Sequence, residues 1–122
     1  MTSVSTHILD TSAGRPAAGV AVELSTRPAP DAPWTPHGAS KTDADGRCKD
    51  LPALPDAAGH VRLRFEVEPY LRAREAAGAG ERPSQGPVFF PEVAVVFAVA
   101  PGEHYHVPLL LNPFGYSVYR GS

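Results

Sequence analysis

Two histidines and one arginine are the residues of this chain whose types and positions best suit acid–base chemistry. His7 and His106 lie in runs that alternate polar and apolar residues, and both fall on the side opposite the apolar one. Arg47 directly follows residues 43–46, a tight-turn sequence in which Gly46 can take a positive φ. Two imidazoles can hold a water and pass its proton between them, and a guanidinium can bind a planar, oxygen-rich substrate. Together they indicate a hydrolytic site that uses no metal.

The last residues of the sequence add further binding groups. After a turn signal at 112–115, residues 116–120 read as a short returning strand. Tyr119, Arg120 and Ser122 supply a phenol, a guanidinium and a hydroxyl beside the terminal carboxylate. Chain ends usually fray, and that is the ordinary expectation for Tyr119 and Ser122. This end is nevertheless rich in groups that bind ligands.

Each candidate, taken alone, has a simpler explanation. A single surface histidine is usually only solvated, and Arg47 after a turn can be an ordinary surface charge. Three other histidines are expected to be solvated: His37, His60 and His104. A metal site from His104 and His106 is a weak alternative, because i, i+2 spacing without nearby carboxylates or thiols is not a typical ligand set. From residue chemistry alone, the sequence indicates a β-sandwich with a candidate His/Arg site.

Period-two alternation predicts the strands that must hold these residues. The clearest run is 60–68, in which apolar residues alternate with charged ones, and in 4–10 the apolar set leaves His7 on the outer face. Regular spacing with turns between the runs indicates a β-sandwich. We predict seven or eight strands, the main ones at 4–10, 20–26, 60–68, 92–100, 104–111 and 116–120.

Proline and glycine mark the connections between the strands. Pro16 is expected to prevent sheet pairing in its loop, and the proline-rich stretch 27–36 is expected to be an irregular loop. The one convincing helix spans 69–77, with Gly78 to end it. A polar loop rich in glycine and proline follows at 79–87.

Composition narrows the class of protein. With 122 residues, 14 prolines and 11 glycines, the chain is expected to form a single all-β domain over 1–122. The net charge of −2 gives no basic footprint for nucleic acid, and no apolar run is long enough to span a bilayer. The first residues lack a secretory pattern, and Cys48, the single cysteine, cannot form an internal disulfide and is expected to be structural. A reducing, cytoplasmic setting is expected.

Several sequence blocks, in order along nearly the whole chain, carry a family pattern. They are STHILD at 5–10 with GRPA at 14–17, TDADGRC at 42–48, FFPEV at 89–93, HYHVPLL at 104–110 and the closing YRGS at 119–122. This pattern resembles the 5-hydroxyisourate hydrolase family, the enzymatic relatives of transthyretin. The closing tetrapeptide is the most specific mark, because it separates the enzymes from the hormone-carrying transthyretins.

The resemblance implies a fold and an assembly. The fold is a transthyretin-like (prealbumin-like) all-β sandwich of two four-stranded sheets with one short helix. Two subunits join edge to edge, and two such dimers pack face to face into a homotetramer with the active sites in the channel between them. The loops at 27–36 and 78–87 are longer than this pattern has them, which leaves their role open.

The resemblance also implies an activity. The family hydrolyses 5-hydroxyisourate to 2-oxo-4-hydroxy-4-carboxy-5-ureidoimidazoline in urate (purine) catabolism, with no metal and no cofactor. Its catalytic residues fall on His7, Arg47 and His106, and its substrate-binding residues on His7, Arg47, Tyr119 and Ser122. The histidines are expected to deprotonate the water and Arg47 to stabilise a substrate oxygen. Which histidine is the base, and whether Ser122 or the terminal carboxylate moves a proton, stays open.

Two other functions remain as alternatives. The same scaffold carries thyroid hormones in transthyretins, so a small-molecule carrier without catalysis is one of them. Two histidines, an arginine and Tyr119 at the channel floor argue against the open, apolar channel that such a carrier needs. The other is a purely structural oligomer, which predicts no effect when His7 and Arg47 are replaced together.

Overall fold

The computed structural model of the protein describes residues 1–76 and 87–122. Over these two ranges the chain forms nine strands and one helix. In chain order the elements are β1 (Ser3–Asp10), β2 (Arg15–Pro16), β3 (Ala21–Arg27), β4 (Thr35–Lys41), β5 (Arg47–Cys48), β6 (His60–Glu66), α1 (Glu68–Ala76), β7 (Glu92–Ala98), β8 (His104–Asn112) and β9 (Gly115–Val118).

The strands form two sheets that share one hydrophobic core. The β1 sheet has the order β2-β1-β8-β9, and β5 also pairs with β1; the β3 sheet has the order β4-β3-β6-β7. Since β5 pairs with Thr6 and His7 and β2 with Leu9 and Asp10, the two short strands share one edge of β1. The β1 sheet is therefore four strands wide. This confirms the predicted sandwich of two sheets with one short helix within the described part of the chain.

The predicted alternation of buried and outer residues is confirmed in both sheets. In β1 every second residue from Val4 to Asp10 is buried, whereas His7 lies on the half-exposed side. In β6 the residues Val61, Leu63 and Phe65 have no exposed surface. Alternation therefore separates a core face from an outer face, and on β1 the outer face is where the candidate histidine lies.

Apart from the two-residue strands β2 and β5, the strand that the sequence prediction missed is β4. The predicted irregular loop at 27–36 gives way at Thr35 to β4, six of whose seven residues pair with β3. β4 has no buried residue, and its sequence TPHGASK holds a proline and a glycine, so it carries no period-two signal. The register of β3 against β4 shifts between Leu24 and Ser25, which accommodates Pro36 at the edge of the sheet.

The prediction for Pro16 was wrong. Pro16 is opposite Leu9 in the two-residue strand β2, although it was expected to prevent pairing. The edge position tolerates proline because the missing donor is replaced by its neighbour: the N–H of Ala17 donates to the carbonyl of Ile8 at 3.0 Å.

Helix α1 begins at Glu68, one residue earlier than predicted, and is described as far as Ala76. The predicted last residue, Ala77, the predicted end at Gly78 and the loop at 79–86 lie outside the described residues. Among the residues that the structure does describe, no helix has the length and hydropathy needed to cross a membrane.

Buried Asp10 ties the helix to the end of β1. Tyr70 and Arg74, one helical turn apart, both donate hydrogen bonds to Oδ2 of Asp10, the tyrosine at 2.7 Å. Burial raises the pKa of Asp10, but hydrogen bonds from Tyr70, Ser12, Ala13 and Arg74 outweigh it, so the net pKa is lowered. The carboxylate thus remains charged and holds the last residue of β1 in place.

Candidate active site

The three predicted catalytic residues lie on the outer face of the β1 sheet. In the register of β1 with β5, His7 is opposite Arg47, and in the parallel register with β8, Ser5 is opposite His106. Residues paired across neighbouring strands point to the same side of a sheet, and His7 is two residues from Ser5. His7, Arg47 and His106 therefore share one face, on three neighbouring strands.

The electrostatic environment of His106 suits a base. Burial lowers the pKa of His106 below its ordinary value of 6.5, and the positive charges of Arg47, His7 and His104 lower it further. The ring is therefore mostly neutral at pH 7 and keeps one nitrogen free to accept a proton.

The turn before Arg47 is fixed by its own backbone. One side-chain oxygen of Asp43 accepts hydrogen bonds from the N–H groups of Asp45 at 2.9 Å and Arg47 at 3.0 Å. Gly46 has φ +76°, and a Cβ there would lie 2.5 Å from the carbonyl oxygen of Ile8. The carbonyl of Gly46 in turn accepts from the N–H of Ile8 at 2.8 Å. Arg47 is thereby held against β1, beside His7.

The C-terminal segment runs beside His106. The N–H of Gly121 donates to the carbonyl of His106 at 2.7 Å, and a Cβ on Gly121 would lie 2.7 Å from Cδ2 of the His106 ring. Tyr119 is 55% exposed and Ser122 is exposed in the isolated chain. Glycine at 121 is what lets the backbone pack against the imidazole.

Arg120, a candidate from the sequence, is not part of this face. Its guanidinium lies 4.6 Å above the ring of Tyr105 and 3.3 Å from a carboxylate oxygen of Glu103. Tyr105 is buried on the inner side of β8, where an apolar pocket is lined by Val95 and Phe97. The three catalytic candidates do not line that pocket.

The structure adds two residues that sequence reasoning did not assign to the site. Ser5 Oγ lies 2.8 Å from Nδ1 of His106 and 2.9 Å from Nε2 of His104. His104 was expected to be only solvated. The sequence shows that His104 is two residues from His106 and that Ser5 is two residues from His7. It does not show that β1 pairs with β8, which is what brings Ser5 and His104 together.

Two further candidates for chemistry are the thiol of Cys48 and a metal site. Cys48 is buried, and burial raises the pKa of its thiol. Within 1–76 and 87–122, no group of three or more histidine, cysteine, aspartate or glutamate residues is arranged to hold a metal ion. The three predicted residues together offer two imidazoles and a guanidinium on the outer face. Such a set can activate a water and stabilise an oxyanion.

Comparison with known proteins extends over the whole chain. The HIUase/Transthyretin family model matches residues 4–121. The 5-hydroxyisourate hydrolase of Caulobacter vibrioides is 40% identical over 123 residues, which cover 100% of both chains. The structure of Klebsiella pneumoniae 5-hydroxyisourate hydrolase covers 100% of both chains at 34% identity with a TM-score of 0.73. Sea bream transthyretin in complex with thyroxine covers 97% of this chain and 93% of its own at 31% identity, with a TM-score of 0.75.

Proposed function

Because this chain belongs to the HIUase/Transthyretin family, we propose that it is an enzyme that hydrolyses 5-hydroxyisourate in urate breakdown. The product is 2-oxo-4-hydroxy-4-carboxy-5-ureidoimidazoline, formed by opening the six-membered ring. The observation that carries the proposal is the shared outer face of His7, Arg47 and His106. It is supported by relatives named as 5-hydroxyisourate hydrolases that match this chain from end to end.

In the proposed reaction each of the three residues has one task. Arg47 binds the oxygen of the ring carbonyl that is attacked and stabilises the negative charge that develops on it. His7 and His106 hold the water and remove a proton from it as the new C–O bond forms. The C–N bond of the cyclic amide then breaks, and an imidazole returns a proton to the leaving nitrogen. Removal of one such group costs about a hundred- to a thousandfold in rate.

Tyr119 and Ser122 are proposed to bind substrate at the rim of the site. Both belong to the short segment whose Gly121 donates a backbone hydrogen bond to His106, and this closeness in sequence supports the proposal. The phenol of Tyr119 closes the pocket against one side of the substrate. Ser122 or the terminal carboxylate contributes a polar group near the scissile bond.

The proposed assembly is a homotetramer of single-domain chains, a dimer of dimers with the sites between the dimers. Leu9 and Leu110 are opposite one another on the outer face and only partly buried in a single chain. An exposed apolar face of this kind usually marks a surface that contacts another subunit or a ligand. The proposed setting is the cytoplasm, in keeping with a single, unpaired cysteine.

The test is an ultraviolet absorbance assay on freshly prepared 5-hydroxyisourate. We expect the full chain to accelerate loss of the substrate, and His106→Asn to fold and assemble normally with kcat lower by about a hundred- to a thousandfold. Deletion of residues 119–122 is expected to abolish most of the activity. His37→Asn, which removes an exposed histidine on β4 far from the face, is the control and is expected to keep full activity.

Three outcomes contradict the proposal in whole or in part. Normal turnover by His106→Asn removes His106 from the mechanism. Tight binding of thyroxine with no acceleration of 5-hydroxyisourate hydrolysis favours the carrier instead. A doubly substituted His7 and Arg47 variant with wild-type activity and assembly would leave only a structural role for this face.

A further inference from the structure

A row of four hydrogen-bonded side chains leads from the candidate site to solvent. Nδ1 of His106 lies 2.8 Å from Ser5 Oγ, which lies 2.9 Å from Nε2 of His104. Nδ1 of His104 lies 2.6 Å from Ser3 Oγ. The inner end is half-buried, whereas His104 is exposed. We call these residues, Ser3, His104, Ser5 and His106, the serine–histidine row.

The row has two fully bonded arrangements. A serine hydroxyl has one proton to donate and lone pairs to accept with, so Ser5 must accept from one imidazole and donate to the other. In the first arrangement His106 Nδ1–H donates to Ser5, Ser5 donates to His104 Nε2, and His104 Nδ1–H donates to Ser3. In the second every bond is reversed. Only the first leaves Nε2 of His106 free to accept a proton from a water in the site.

The environment of His106 makes a charged ring unfavourable. Its neighbours on the outer face are Arg47 from β5, His7 from β1 and His104 from β8, and all of them are cationic or can become so. The fourth neighbour, Gly121, brings only backbone. At this place burial and the charge of Arg47 both make an imidazolium form of His106 unfavourable.

This inference rests on the proposed hydrolysis. We infer that Ser5 and His104 move the proton between His106 and solvent, so that His106 stays neutral while it acts first as base and then as acid. As water attacks, Nε2 of His106 takes one of its protons, the Nδ1 proton passes to Ser5, and the Ser5 proton passes to exposed His104. As the C–N bond breaks, Nε2–H goes to the leaving nitrogen and a proton returns along the row.

Protons balance over this cycle. The C–O bond forms with loss of one water proton to His106, and the leaving nitrogen gains one proton from His106. The second water proton stays on the new carboxyl group, which ionises near neutral pH after release. The row is back in its first arrangement, ready for the next turnover. Ser5 and His104 are thus positioning residues that act through His106.

The kinetic test uses low buffer concentration and four variants. His104→Ala and Ser5→Ala are expected to lower kcat roughly tenfold with little change in KM. Ser5→Thr, which keeps the hydroxyl, is expected to restore kcat. Added imidazole is expected to restore kcat of His104→Ala by occupying the vacated position, and to leave the wild type unchanged. His37→Asn is the matched control for loss of an exposed histidine.

Wild-type kcat in both alanine variants overturns the inference. A loss of kcat in His104→Ala that imidazole does not restore overturns it as well, because a merely structural defect is not repaired by a proton carrier.

A second measurement needs no substrate. Nitrogen-15 NMR of the free protein reports which ring nitrogen of neutral His106 carries the proton. We expect Nδ1 in the wild type and Nε2 in Ser5→Ala, and the same position in both proteins overturns the inference. If the wild type does not hydrolyse 5-hydroxyisourate at all, the proposed function fails, and this measurement alone decides whether the row fixes the proton.

Discussion

The imidazole of His106 has three different interactions with its surroundings. Ser5 lies at Nδ1, the backbone of Gly121 packs against Cδ2, and the positive charge of Arg47 acts on the ring. The first contact orients the ring, the second limits its movement, and the third favours its neutral form. A histidine held in this way is better suited to accept a proton at pH 7 than a solvated one.

Arg47 is expected to affect the titration of His106 as well as substrate binding. In Arg47→Gln a positive charge near the ring is lost, the imidazolium becomes less unfavourable, and the pKa of His106 rises toward 6.5. The acidic limb of kcat/KM should therefore move to higher pH, with kcat lower by about a hundredfold or more. Arg47→Lys keeps the charge, so the acidic limb of its kcat/KM profile should stay at the wild-type pH. If the wild type, Arg47→Gln and Arg47→Lys all show the limb at the same pH, Arg47 does not influence the pKa of His106. The measurement is a pH profile of kcat/KM.

Gly121 is expected to be needed for the position of His106. In Gly121→Ala the new Cβ would lie 2.7 Å from Cδ2 of His106 and 3.2 Å from Cγ of Pro108, so either the ring or the tail must shift. A shift of about 1 Å in a catalytic group costs about a hundredfold in kcat. In the control, Gly115→Ala, the Cβ meets Asn112 only at 3.8 Å, and kcat should not change. Steady-state kinetics with thermal unfolding distinguish the two, and wild-type kcat in Gly121→Ala would contradict the prediction.

Among the elements, the turn before β5 positions Arg47, one of the three proposed catalytic residues. It is closed by Asp43, which accepts from two backbone N–H groups, and it lies against the backbone of β1 at Ile8. The same turn therefore sets the conformation of Arg47 and its distance from His7. Helix α1 acts at the other end of β1, through Asp10.

Two glycines with similar φ, Gly14 between β1 and β2 and Gly46 before β5, separate the conformational effect of a substitution from its packing effect. Gly14 has φ +69°, and a Cβ there would meet no atom within 4 Å, whereas at Gly46, with φ +76°, a Cβ would lie 2.5 Å from the carbonyl oxygen of Ile8. Gly14→Ala should cost about 1 kcal/mol of unfolding free energy from the positive φ alone. Gly46→Ala should cost about 2 kcal/mol more and lower activity, because β5 must move away from β1. Urea unfolding measures both, and equal losses would refute the close-packing argument.

At the scale of the whole molecule, the site is an open face in a single chain. His7 and His106 are half-buried, and the aliphatic pair Leu9 and Leu110 beside them is partly exposed. A water-activating site works better when bulk water is excluded, because charge interactions are stronger there. The proposed tetramer would supply that cover by placing a second copy over the face.

Leu110→Arg tests the proposed assembly. An arginine at this position would place a charge in the proposed interface between dimers, so we expect dimers in place of tetramers and loss of most activity. Thr35→Arg adds the same side chain on exposed β4 and is expected to leave both unchanged. Analytical ultracentrifugation and the absorbance assay are the measurements, and a fully active tetramer of Leu110→Arg would place the interface elsewhere.

The local sequence pattern was sufficient to predict which faces of the main strands are buried. Alternation is a local property, so β1 and β6 could be predicted with their inner and outer residues, and His7 and His106 could be assigned to outer faces. The turn before Arg47 was also predictable, because aspartate and glycine specify it locally. β4 was not, since an edge strand with no buried residue needs no alternation.

Which outer residues contact one another depends on the folded chain as a whole. The parallel pairing of β1 with β8 joins residues about a hundred positions apart, and it brings Ser5 and His104 into contact with each other and with His106. Arg120 looked equally suitable from its chemistry, yet it lies beyond the end of β9, with its guanidinium over the ring of Tyr105. Hydrogen-bond partners are set by register between distant segments, and no local pattern in the chain specifies that register.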